Sequence, residues 1–116
     1  IDPSGNYVDA TLGAGGHVDH RLVRLAAEAV HGAALLYYED YPYAAKWRAV
    51  RREAWPPWRW RAQRIALSPE DVADRLAATA AYESQTAMLF GGAGNLDAHV
   101  RRTVRRVGGE RVWRRR

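Results

Sequence analysis

The stretch on which the fold turns is Tyr7-Val8-Asp9-Ala10-Thr11-Leu12-Gly13-Ala14-Gly15-Gly16-His17-Val18-Asp19-His20. Tyr7 to Ala10 reads as a short strand and the glycines as the loop that leaves it. From Val18 the pattern becomes helical, because Val18, Leu22, Leu25, Ala26, Ala29 and Val30 recur at helical spacing as an apolar stripe. His31-Gly32 reads as the helix stop, since glycine accepts the left-handed conformation just past a helix end. Ala33 to Tyr38 is then a compact apolar run ending in Glu39-Asp40, as in a buried parallel strand. Strand, loop, helix and strand make a βαβ unit. Ligands in open α/β sheets collect at the carboxyl ends of strands, where both the Gly15 to His20 segment and Glu39-Asp40 fall.

Further along, Tyr41-Pro42 interrupts the pattern. Tyr43 to Ala54 reads as a helix around Trp47, Val50 and Ala54, ended by Trp55-Pro56-Pro57. Trp58 to Leu67 alternates as a half-exposed strand, with Ile65 and Leu67 on the opposite parity from Trp58 and Trp60, which a bulge would reconcile. Ser68-Pro69-Glu70-Asp71 starts a helix that should run to about Ser84, with a capping serine, a proline in the first turn and two acids suited to the helix dipole. After the glycine-rich connection Gly91 to Gly94, Asn95 should cap a last helix that buries Leu96, Val100, Val104 and Val107 and stops at Gly108-Gly109. The expected fold class is α/β, a partial Rossmann-like three-layer sandwich: the βαβ unit, a further strand and two carboxyl-terminal helices in a single domain over residues 1–116.

Composition narrows the chemistry. The 116 residues contain no cysteine, so disulfides and thiolate zinc sites are excluded together and any metal must be held by His, Asp or Glu. No apolar run reaches the roughly 18 residues of a membrane span, and the first ten residues lack the pattern of a signal peptide, so a cytoplasmic location is expected. The formal charge is +5, and all but Lys46 of the 18 basic residues are arginine. Arg101, Arg102, Arg105, Arg106, Arg111 and Arg114 to Arg116 form a basic end that reads as a solvated helix face and a frayed tail. Contact with nucleic acid is the alternative, built on Trp58-Arg59-Trp60-Arg61.

His17 and His20, three apart in the first helical turn, lie close enough to act together, and neutral imidazole is what a metal requires. Asp19 could orient one ring through its second nitrogen, a usual arrangement around metal sites. The plainer reading is polar surface beside a loop. Gly13, Gly15 and Gly16 likewise admit two readings, a cradle for phosphate or a nucleoside cofactor and a tight turn, because the spacing is G-x-G-G and not G-x-G-x-x-G.

Four stretches resemble, in order, the LmbE-like or PIG-L family of zinc-dependent N-deacetylases. They are Leu12 to Val23 with its Gly15-Gly16-His17-Val18-Asp19-His20, Tyr37 to Ala44, Ala81 to Gln85 ahead of Leu89-Phe90-Gly91, and Val107 to Trp113. The resemblance implies hydrolysis of the N-acetyl group of an N-acetylglucosamine-type sugar in a bacterial enzyme, using a zinc-bound water activated by an aspartate. By position it implies that His20 is a zinc ligand. His17 becomes the histidine that polarises the amide or stabilises its oxyanion and helps protonate the amine, and Asp19 the carboxylate supporting His17. The implied partner is a small-molecule amino-sugar substrate.

The family's amino-terminal motif, His-Pro-Asp-Asp-Glu, supplies two more ligands and the base, and it has no counterpart in this chain. Asp2-Pro3 is followed by Ser4-Gly5 and cannot replace it. Asp9, His31, Glu39, Asp40 and His99 are the local substitutes, without motif support. The expectation is therefore the carboxyl-terminal part of a larger deacetylase domain, inactive alone, whose incomplete sheet leaves an edge for homo-oligomer formation. Gly5 to His17 is also similar to the cofactor loop of the RsmH-type ribosomal RNA methyltransferases, which implies S-adenosylmethionine on the glycines and Glu39 or Asp40 on its ribose.

Overall fold

The computed structural model describes residues 7–91 and 93–116. Asp2-Pro3, the first residues of the methyltransferase-like stretch and Gly92 of the glycine-rich connection lie outside the described residues. The chain forms two compact units, one of residues 1–63 and 111–116 and the other of residues 64–110. It is a mixed α/β fold with a four-stranded sheet.

In the first unit, β1 (Val8–Thr11) leads through the glycine loop into α1 (Val18–His31) and returns as β2 (Leu35–Tyr38). The two strands pair in parallel with Val8 opposite Leu35 and Thr11 opposite Tyr38, so the βαβ unit is as the sequence predicts. The segment read as one helix from Tyr43 is a 3₁₀ turn, Tyr43–Ala45, followed by α2 (Trp47–Glu53). A second 3₁₀ turn, Pro57–Arg59, precedes β3 (Trp60–Ile65). The basic end departs from expectation: Glu110–Arg115 is a strand, β4, and not a frayed tail. It pairs antiparallel with β2, Tyr37 opposite Trp113, giving the sheet order β1-β2-β4-β3. The physical reason is that Glu39 accepts from both Arg111 and Trp113 Nε1, the latter at 2.8 Å, and Arg111 lies over the rings of Trp47 and Trp113. The arginines interleave with aromatics that they cover, which hides their charge from a simple count.

The core of this unit gathers Leu12, Leu35, Tyr37, Val50 and Trp60, all buried, with Tyr37 and Trp60 edge to face at 5.1 Å. No residue of α1 is fully buried. Its inward arc is His20, Arg24, Ala27 and Glu28, all partly covered, whereas Val18, Leu22, Leu25 and Val30 face outward. The apolar stripe is therefore turned away from the sheet, opposite to the usual rule for a surface helix.

The second unit is helical: α3 (Pro69–Ala80), α4 (Glu83–Phe90) and α5 (Ala93–Val107). The single helix expected to Ser84 is thus two, and the carboxyl-terminal helices number three among the described residues. Ser68 caps α3 reciprocally with Asp71, each side chain meeting the other's backbone N–H. The Ser68 backbone N–H, and after it the Ser68 hydroxyl, hold the Asp71 carboxyl below its ordinary range. Leu96, Val100 and Val107 are buried as their spacing predicts, whereas Val104 of the same stripe is only half-buried; Val72 is buried on α3.

Candidate active site at the β1–α1 loop

Positive φ at Gly13, Gly15 and Gly16 lets the chain turn sharply out of β1. The Gly16 N–H donates to the Gly13 carbonyl at 3.2 Å, closing a tight turn. Gly15 has a second reason to lack a side chain, since a Cβ there would lie 2.6 Å from the Cβ of Tyr43. The close approach seats the Tyr43 ring against the two histidines: it is 5.0 Å from His17 and 5.9 Å from His20, and the imidazoles are 5.3 Å apart. His17 ends the loop at the N-cap of α1, and His20 sits on the first turn facing the sheet.

Behind His20 lies Asp40, whose side chain is 2% exposed at the end of β2. Its Oδ2 accepts from the backbone N–H of Gly13 at 2.6 Å and of Ala14 at 3.0 Å, and its Oδ1 accepts from the Thr11 hydroxyl. His20 Nδ1 is 3.1 Å from the same Oδ1, although the contact lacks the alignment of a full hydrogen bond and Nδ1 has no other partner. Burial pushes the Asp40 carboxyl above its ordinary range, opposed by the Gly13 N–H, the His20 charge and the Ala14 N–H. This carboxylate joins the loop after β1 to the end of β2, because parallel pairing places Thr11 beside Tyr38.

His17 and His20 are thus brought together as the sequence suggests. Asp19 is exposed in the first turn of α1 and makes no ion pair with His17. Sequence reasoning did not assign Asp40 to His20, nor Tyr43 to the pair. The available signal was the position of Asp40 at the carboxyl end of the strand next to the glycine loop. Glu39 is committed to Arg111 and Trp113, and His31 is exposed at the far end of α1. His99 belongs to the other unit, against Phe90. The loop amides of Gly13 and Ala14 are taken by Asp40, so these two are not available to a phosphate or nucleoside cofactor. Trp60 is in the core beneath Arg24 and Arg115, which leaves Trp58 as the exposed ring of the Trp58-Arg59-Trp60-Arg61 run.

Among the described residues no group of three or more His, Cys, Asp or Glu side chains is placed to hold a metal ion. A catalytic zinc takes about three protein ligands with one position open. Among the described residues, His20 is an imidazole backed by the Asp40 carboxylate, an arrangement that suits one ligand and not a complete site. No helix among the described residues is long and apolar enough to cross a membrane.

No family model matches the chain, and neither does any curated protein sequence. The fold is similar to the crystal structure of the zinc-inhibited form of teicoplanin deacetylase Orf2, with a TM-score of 0.64 and 26% sequence identity. The similarity covers 95% of this chain and 44% of that one, so the chain spans less than half the length of the deacetylase it resembles.

Proposed function

We propose that the chain is the carboxyl-terminal part of a zinc-dependent N-deacetylase of the PIG-L, LmbE-like kind, acting on an N-acetylglucosamine-type conjugate. The observation that carries this reading is the placement of His17 and His20 side by side on the loop after β1, with Asp40 behind His20, in a fold similar to a deacetylase. Two further features support a larger domain: the outward apolar stripe of α1, which has the character of a surface meant to be covered, and the incomplete metal-ligand set.

In this proposal His20 is one ligand of zinc, and the remaining ligands and the base come from a segment outside these 116 residues. Zinc, when bound, lowers the pKa of water towards about 7 and polarises an amide carbonyl. His17 lies one ring away from His20 and is exposed, where it can donate to the oxygen on which negative charge develops and then pass a proton to the leaving amine. Tyr43 packs against both rings and limits their rotation. Asp19, exposed in the same first turn, is proposed to support His17.

Acetate release from N-acetylglucosamine conjugates, and zinc affinity by equilibrium dialysis, test the reading. The isolated chain should hold zinc weakly through His20 and release no acetate. Adding a separate segment that bears His-Pro-Asp-Asp-Glu should restore turnover in a His17-dependent manner. Full turnover by the 116 residues alone, or zinc retention unchanged in His20→Ala, would overturn it.

A further inference from the structure

We propose that Asp40 is a positioning residue that fixes His20 as the Nδ1–H tautomer and so presents the Nε2 lone pair to whatever electrophile the site binds. The inference deepens the metal role proposed for His20, yet it stands on contacts within the chain.

The Thr11 hydroxyl, the N–H groups of Gly13 and Ala14 and the N–H of Asp40 itself all donate to the Asp40 carboxylate. The group acts here as an acceptor. His20 Nδ1 is buried, 3.1 Å from Oδ1, with no other partner. An unprotonated Nδ1 at that distance would set lone pair against lone pair in a site closed to water. Placing the proton on Nδ1 turns the same contact into a charge-assisted hydrogen bond after a small ring rotation. Neutral imidazole carries one N–H, so the lone pair then belongs to Nε2. The imidazole edge is accessible, its side chain being 35% exposed, and His17 and Tyr43 flank it.

The alternative role for Asp40 is a staple that merely closes the β1–α1 loop. Asp40→Asn separates the two. The Gly13 and Ala14 N–H groups can only donate, so the asparagine oxygen must occupy the Oδ2 position and keep the staple. Its amide nitrogen is then forced to the Oδ1 position, facing His20 Nδ1 and the Thr11 hydroxyl, which can rotate to accept. Nδ1 must now accept, and the proton moves to Nε2. The same carboxylate-to-amide exchange behind a histidine gives the wrong tautomer in the serine-protease triad.

The experiment is nitrogen-15 NMR of the histidine side chains in the metal-free chain at about pH 8.5, above ordinary imidazole titration. His20→Gln assigns the His20 resonances, and His17, His31 and His99 serve as internal controls. We expect Nδ1–H at His20 in the native chain, Nε2–H in Asp40→Asn, and no change in the controls. In Thr11→Val, which removes a staple contact without touching the histidine, His20 should remain Nδ1–H. Zinc affinity attributable to His20 should fall about 10–100-fold in Asp40→Asn, the usual effect of removing an outer partner of a metal ligand. Nε2–H at His20 in the native chain, or an unchanged tautomer in folded Asp40→Asn, would overturn the proposal. If Asp40→Asn does not fold, the native spectrum alone decides. Because the tautomer is read without metal or substrate, it can hold even where the deacetylase reading fails, and the reverse is equally visible.

Discussion

The two faces of α1 obey opposite rules. The inward arc is polar: Arg24 Nη1 donates to the Leu12 carbonyl at 2.7 Å and pairs with Glu53 at 3.2 Å, while its Nε pairs with Glu28 at 3.0 Å. Glu28 also accepts from the Tyr37 hydroxyl at 3.1 Å and pairs with Arg115 at 2.8 Å. The outward arc is apolar, with Leu25 61% and Val30 75% exposed. A helix normally buries its apolar stripe because water removal there is the main driving force. The inward arc holds here because the sheet beneath it offers a matched set of partners, including the faces of Tyr37 and Trp60, which lie 5.3 and 5.5 Å from the Arg24 guanidinium. The lesson is that periodicity finds a helix and its stripe but not the direction in which the stripe points.

The largest expected effect comes from the polar side. Arg24→Ala removes a mostly covered guanidinium that joins Leu12, Glu28 and Glu53, leaving two carboxylates without their shared cation. Glu28 keeps Arg115 and Glu53 keeps Arg52, so the expected loss is about 2–3 kcal/mol, below that of a buried charge left with no partner. Urea unfolding should show it as a lower midpoint at similar slope. A loss below about 1 kcal/mol would mean that the inward arc is only surface, and the contrast between the faces would collapse.

Next comes Glu28→Gln, with an expected loss of about 1–2 kcal/mol, since the amide keeps one acceptor but drops the charge that Arg24 and Arg115 share. This variant carries a pH signature. The Tyr37 hydroxyl is pushed above its ordinary value first by burial and then by the Glu28 charge. A raised pKa in the folded state means that the native chain holds its proton after the unfolded chain has released it. The stability this contributes is complete below the unfolded value of about 10 and is lost as pH rises through the raised native value. Glu28→Gln should bring the Tyr37 transition down towards the ordinary range, as read by tyrosinate absorbance, and leave the burial part of the shift. An unchanged transition would show that Glu28 does not act on Tyr37.

How much was legible follows from which features are local. Strand, glycine loop, helix and strand were readable because each rests on spacing within a few residues, and the Ser68 cap and the Leu96 to Val107 stripe are local in the same sense. β4 was not readable. Arg111, Trp113 and Arg115 look like a charged tail until Glu39 and Glu28, about 70 to 90 residues away, are known to receive them. The site divides in the same way. His17 and His20 are three residues apart and announce themselves, whereas the carboxylate against His20 is 20 residues on and is placed there by parallel pairing. Asp19, the nearer acid in sequence, is exposed, and residues one apart in a helix do not face each other, so adjacency alone could not pair it with His20.

The smallest expected effect is the most discriminating. Leu22→Gln with Leu25→Gln changes the outward arc while keeping helix propensity close to that of leucine. If this face is unpacked within the chain, little contact is lost and the stability of the monomer should move by less than about 0.5 kcal/mol. Any concentration-dependent association seen by sedimentation should weaken, because about 60% of each leucine is open to a partner surface. A stability loss above about 1.5 kcal/mol at low concentration would show that the stripe is covered within a single chain. The polar arc would then no longer be the face that holds α1 to the sheet, and the claim that Asp40 meets His20 from beneath the helix would lose its geometric basis.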